Sequence, residues 1–319
     1  MTRTALALTL TLTLLILILV GSMPVDRASA NFMPVTVPEH NIEITADGNI
    51  TGTDKIQQDG TIYTFTGNIS GSIVVLRDNI TIDGAGYTLQ GNGYLYGIFI
   101  QDTSNENGSG VTVKNMTITN FETGVLYSYY HGSDKIVVLS GNTIKNNSRG
   151  IVCYKTNHYF ISQNKIVNNT LGIRSLLTRD IVVCDNVFAD NTKAIQFESC
   201  ISNKVFGNYF INNTSHITLD PDYLEVSEVS WDNGSSGNYW SDYNGTDTNN
   251  DGLGDTPYVI HRYNQDSYPL MEPYKETEPT PEPQEPEPFP ITLAAVTTGT
   301  VTAVAVSAGL IVYFKKRKR

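Results

Sequence analysis

The chain has 319 residues, with 21 Lys plus Arg against 32 Asp plus Glu, a formal net charge of −11 and three cysteines. That acidity argues against contact with a phosphate backbone, which needs clustered cations, and favours cations or plain solubility in a crowded surface layer. Cys153, Cys184 and Cys200 fall in different registers of the repeat described below, so they read as small buried hydrophobes rather than as a bridge or a metal site.

Residues 1–30 read as a signal peptide: Arg3 opens it, residues 5–20 are apolar, and Ala28-Ser29-Ala30 form a small-residue cleavage site. Without this leader and the basic tail, 14 basic and 31 acidic residues remain, a charge near −17. Residues 31–78 alternate apolar and polar side chains between turn signals at Asp47-Gly48 and Asp59-Gly60, and are expected to form an N-terminal β cap. A coil of strands needs such a cap, because an open strand edge invites end-to-end aggregation.

Residues 79–217 are organised by repetition. Asn142, Asn164, Asn186 and Asn208 are 22 residues apart, and Asn147, Asn169, Asn191 and Asn213 keep the same interval. Leu139, Ile161, Val183 and Val205 follow the beat, as do Ile144, Ile166, Phe188 and Phe210, and Ile151, Ile173, Ile195 and Ile217. Each unit is β-branched, Asn-rich and broken by turn residues, which excludes a helical repeat. The pattern predicts an all-β, right-handed parallel β-helix in which each turn stacks on the last at about 4.8 Å. Asparagine at a corner tolerates the left-handed backbone region, and its amide can bond the amides above and below. The phrase from 77 to 97, with Asp83-Gly84-Ala85-Gly86-Tyr87, is the expected first turn. Residues 111–125 repeat it, with Asn115, Asn120 and Gly124 anticipating Asn142, Asn147 and Gly150; the Asn pairs set the interval at 27. Five extra residues around 127–131 are expected to loop out, and a second insertion spans 101–110.

After Ile217 the beat is expected to stop, leaving residues 218–274 as a C-terminal cap with an acidic loop. Residues 275–290 alternate Pro with Glu or Thr and read as a stiff stalk. Residues 291–314 are 24 residues without a charge, about 36 Å as a helix and long enough for a tilted membrane span. The cationic run 315–319 follows, so the positive-inside rule leaves the bulk of a single-pass cell-membrane protein outside the cell. Tripeptide acceptors for N-glycosylation begin at Asn49, Asn68, Asn79, Asn107, Asn115, Asn146, Asn168, Asn212, Asn213, Asn233 and Asn244.

The strongest local site is the acidic loop. Asp247, Asn249, Asp251 and Asp255 offer side-chain oxygens at nearly alternate positions, Leu253 offers a carbonyl, and Gly252 permits the bend. Two readings stand: a weak structural calcium site, since Tyr258 takes the place of the bidentate Glu, or an Asx-turn that folds without metal. Asp180, Asp185 and Asp190 fall within one unit and are the candidates for catalysis, with solvated charge as the plainer reading. Tyr94, Tyr96, Tyr127, Tyr129 and Tyr130 are expected to be exposed and able to stack on sugar rings, or else to pack beside the coil.

The Asn-marked 22-residue units, the Asp83-Gly84-Ala85-Gly86-Tyr87 entry and the Asn238-Tyr239-Trp240 to Asp255-Thr256-Pro257-Tyr258 ending resemble the NosD-like branch of the right-handed parallel β-helix proteins over residues 40–272. That resemblance implies a surface protein in a group that includes carbohydrate-binding proteins and sugar hydrolases. The family name points to copper, yet His40, His131, His158, His216 and His261 are scattered and Met116 stands alone, so no copper site is evident. The expectation is a membrane-anchored, non-catalytic surface protein that recognises glycans or surface-layer proteins. The alternatives are a polysaccharide hydrolase or lyase, and an accessory factor in copper-centre assembly.

Overall fold

The computed structural model describes residues 42–101, 110–128, 136–219 and 229–275. The predicted signal peptide, nearly all of the stalk, the 291–314 span and the basic tail lie outside the described residues, as do His40, Asn107, Tyr129, Tyr130 and His131. Among the described residues no helix is long and apolar enough to cross a membrane.

One turn shows how sequence becomes coil. Strands Val137–Ser140, Thr143–Lys145 and Arg149–Tyr154 point Leu139, Ile144, Ile151 and Cys153 inward, where all four are buried. Each strand stops at a corner held by a residue of positive φ: Gly141 at 64°, Asn146 at 56° and Lys155 at 50°. Glycine and asparagine enter that region at low cost, which explains their abundance at the first two corners.

Among the described residues seven complete turns stack this way, in sheets of nine, eight and nine strands that are parallel except at the N-terminal edge of the two larger ones; below they are called the first, second and third sheets in the order in which each turn crosses them. Leu139, Ile161, Val183 and Val205 lie in one register file. Ile144, Ile166, Phe188 and Phe210 form another. Ile151, Ile173, Ile195 and Ile217 form a third. The chain is therefore an all-β parallel solenoid of the right-handed type with 22-residue turns. Burial of each such aliphatic side chain stabilises it by about 1.5–3 kcal/mol.

Three features depart from the sequence reading. The coil begins earlier, because Ile62–Phe65, Ile69–Ser70 and Ile73–Val75 already make a full turn in parallel register with the next. Among the described residues, Ile42–Ile44, Ile50–Thr51 and Ile56–Asp59 precede it, with antiparallel pairings between Ile42–Ile44 and Ile50–Thr51 and between Ile56–Asp59 and Ile62–Phe65. Second, Val113 pairs with Leu139 and Ile118 with Ile144, an interval of 26 rather than 27. Asn115 and Asn120 therefore occupy corners, while Met116 and Phe121 take the positions of Asn142 and Asn147. Third, the beat continues past Ile217. Val229–Ser230 pairs with the strand at Asn203–Phe206, and Tyr239–Trp240 pairs with Tyr209–Ile211, which builds two thirds of an eighth turn.

The corner and the ladder also prove to be separate jobs done by adjacent residues. The exposed Asn146, Asn168, Asp190 and Asn212 carry the positive φ. Their successors Asn147, Asn169, Asn191 and Asn213 point inward and bond to one another. The other ladder runs through Asn142, Asn164, Asn186, Asn208 and Asn238. Each side-chain oxygen accepts the backbone N–H of the residue one turn below, so a buried corner amide is never left unpaired.

Candidate functional site

Both ladders end on a titratable side chain, and these two ends mark the C-terminal face. Asn238 N donates to Asp266 Oδ2 at 2.7 Å, and Trp240 Nε1 donates to the same oxygen at 2.9 Å. Asp266 belongs to Asn264–Asp266, which pairs antiparallel with Tyr258–His261 in a hairpin. It is fully buried, and burial holds its carboxyl above the ordinary carboxylate range against the four bonds it accepts. Gly237 makes room for it: a Cβ there would stand 1.8 Å from Asp266 Oδ1.

The second ladder ends differently. Asn213 Nδ2 lies 3.3 Å from His216 Nδ1, and His216 Nε2 lies 3.3 Å from Asp242 Oδ1. The Tyr258 hydroxyl donates to Asp242 Oδ2 at 3.2 Å. Burial lowers the His216 pKa despite the opposing pull of Asp242. Burial, together with Asp242, pushes the Tyr258 phenol well up. The Tyr258 ring closes a stack that runs through Phe188, Phe210 and Trp240, with centroid spacings of 5.0, 4.5 and 4.3 Å.

His216 stands at a position that the preceding turns deny to any large side chain. Gly97, Gly124, Gly150 and Gly172 precede it in the file, and a Cβ on any of them would meet the carbonyl oxygen of the next turn at 2.5–2.6 Å. The strand Ser215–Leu219 ends the third sheet among the described residues, so no following carbonyl crowds His216. Among the described residues the eighth turn has strands in two sheets and none in the third. In that place lies a cleft of about 230 Å³, walled by residues 213–217 on one side and 258–260 on the other, with Asp242 between them.

The candidate catalytic carboxylates do not gather. Asp180, Asp185 and Asp190 have φ of 55°, 57° and 56° and occupy three successive corners of one turn, separated by the strands Val182–Cys184 and Val187–Ala189. Their shared property is tolerance of the left-handed region, which explains three aspartates in one unit without any chemistry. Tyr94 is 71% exposed, as expected. Tyr96 is half-buried against Phe99. Tyr127 is a correction: it faces inward, 3% exposed, with its ring edge-on to Tyr159, because it lies two residues after the inward Val125.

The acidic loop folds on its own amides. Asp247 accepts from Asp251 N and Gly252 N, and Asp251 accepts from Leu253 N. Asn249 Oδ1 also accepts from Asp251 N, and Asp255 accepts from Thr248 N and from the Thr246 hydroxyl. The Thr248 bond, the largest influence on Asp255, helps to lower its pKa. These are the bonds of linked Asx-turns.

Fold and ladders together define an asparagine-ladder β-solenoid whose open end is closed by a hairpin. The family model described as periplasmic copper-binding protein (NosD) matches residues 40–245, and the chain belongs to that family. Comparison with the curated proteins finds no match. Among the described residues no side chains are grouped as a copper centre requires. Cys153, Cys184 and Cys200 are buried, burial pushes the Cys184 thiol up to about 12, and among the described residues no three His, Cys, Asp or Glu side chains converge.

Proposed function

We propose that this chain is an exported, non-catalytic recognition protein whose solenoid presents neutral glycan-binding surfaces, anchored by the 291–314 segment in the cell membrane. The observation that carries the reading is the divergence of Asp180, Asp185 and Asp190 to three separate corners. Glycosidic cleavage needs two carboxyls on one substrate, about 5–9.5 Å apart. The family's periplasmic description supports export, and Tyr94 offers an open aromatic face of the kind that stacks on sugar rings. Surface-layer glycoprotein is the partner that this chemistry suits.

Glycan-array binding by the full-length protein tests the proposal. Retention of neutral glycans, reduced severalfold by Tyr94→Ala, is the expected result, and an empty array overturns it. Calcium at the 247–255 loop belongs to the same reading as a weak stabiliser. With a dissociation constant near 1 mM, 1 mM calcium adds about 0.4 kcal/mol. Thermal unfolding with and without chelator should therefore shift by no more than a degree or two; a shift of ten degrees would mean a tight site.

A further inference from the structure

We infer that the cleft beside the last described strand of the third sheet is a binding site for a single neutral sugar unit, held through vicinal hydroxyls on the Asp242 carboxylate. The inference rests on the glycan-recognition reading and gives it a location. Asp242 is the unusual group. Its side chain is 61% exposed, yet both oxygens are fixed, Oδ1 by His216 Nε2 and Oδ2 by the Tyr258 hydroxyl. Surface carboxylates are ordinarily free to rotate. This one is anchored on one side to the end of an asparagine ladder and on the other to the end of an aromatic stack. Each anchored oxygen keeps a further lone pair for a donor. Two acceptors in fixed geometry match two adjacent hydroxyls, and preorganisation lowers the ordering cost of binding them.

The remaining walls fit the same ligand. Thr214, Ser215 and Asn213 supply hydroxyl and amide groups. The outer edge of Ser215–Leu219 has no partner strand among the described residues, so peptide groups of that edge face the cleft. Val259, 63% exposed, lies at the opposite wall and offers an apolar contact for a ring face. The volume of about 230 Å³ falls just below the range of drug-sized pockets, which suits one ring rather than an oligomer. An anionic ligand would meet Asp242 on a chain already at net −11. A divalent cation would find one carboxylate where it needs several oxygen ligands.

The test is a fluorescence titration of the full-length protein with the methyl glycosides of glucose, galactose and mannose, read at Trp240, which stacks on Tyr258. The inference expects a saturable change with at least one glycoside. It expects that binding to weaken at least tenfold in Asp242→Asn and to vanish in Val259→Trp, which fills the cleft and leaves Asp242 in place. No saturable change with any glycoside overturns it, as does wild-type affinity in both variants, or binding of glucosamine alone. Array binding that persists undiminished in Asp242→Asn also overturns the cleft while sparing the surface-recognition reading.

Discussion

Replacing Asn186 by Ala tests whether the ladders hold the coil together. The Asn186 side chain donates to Ile161 O at 2.8 Å, to Cys184 O at 2.9 Å and to Asn208 Oδ1 at 2.9 Å. Its oxygen accepts from Asn164 N and Asn164 Nδ2, both at 2.9 Å. An amide has two protons to give, so these contacts amount to about four bonds, each with a net contribution of about 1 kcal/mol. Asn186→Ala should therefore cost about 4 kcal/mol, because the partners it leaves behind are buried. Asn168 supplies the comparison. It holds a corner, its side chain is exposed, and Asn168→Ala should cost only the left-handed backbone preference, about 1 kcal/mol. Urea unfolding followed by fluorescence of the buried Trp231 and Trp240 measures both. Equal losses in the two variants, or a loss below about 1 kcal/mol for Asn186→Ala, would refute the division between corner and ladder.

Gly172→Ala should destabilise the coil by about 1–3 kcal/mol in the same assay, through overpacking against a backbone that cannot retreat; its Cβ would stand 2.5 Å from Ala194 O, and unchanged stability would show that the turns can separate. The two ladder-end groups should respond oppositely to pH. His216 has a lowered pKa, so its contribution is lost as pH falls from about 6.5 through its folded value. Asp266 has a raised pKa, so its ionisation penalty is relieved as pH falls from its folded value towards about 3.8. Stability–pH curves for His216→Gln and Asp266→Asn should each lose one of these slopes, and identical curves for wild type and variants would contradict both assignments. In a host that N-glycosylates secreted proteins, peptide mapping should find glycan at the exposed Asn168 and none at Asn213, whose Nδ2 donates to Phe188 O at 2.8 Å. Occupancy at Asn213 would mean that the ladder end opens.

The solenoid was legible because stacking converts spatial register into sequence interval, so Asn142 to Asn208 and the aliphatic files could be read directly. The eighth turn escaped because its interval is longer. Asn208-Tyr209-Phe210 and Asn238-Tyr239-Trp240 carry the same signature 30 residues apart, and a fixed beat of 22 passes over it. The corner and the ladder were merged because both favour asparagine, and only φ separates them. The file from Gly150 through Gly172 and Ala194 to His216 was visible in the sequence. Its meaning was not, since it depends on His216 lying in the last strand of its sheet among the described residues. Asp242 and Tyr258 join His216 only when the terminal hairpin folds back, and no local pattern encodes that return. Tyr127 was misread by composition where strand alternation after Val125 would have placed it inside.

The most direct test of non-catalytic recognition is the mass of a glycan recovered after prolonged incubation with the full-length protein. The account predicts that every glycan the protein retains comes back intact, with no new reducing end and no unsaturated product. A shortened or unsaturated glycan would contradict it, and would make the His216–Asp242–Tyr258 cleft the first place to look for the chemistry.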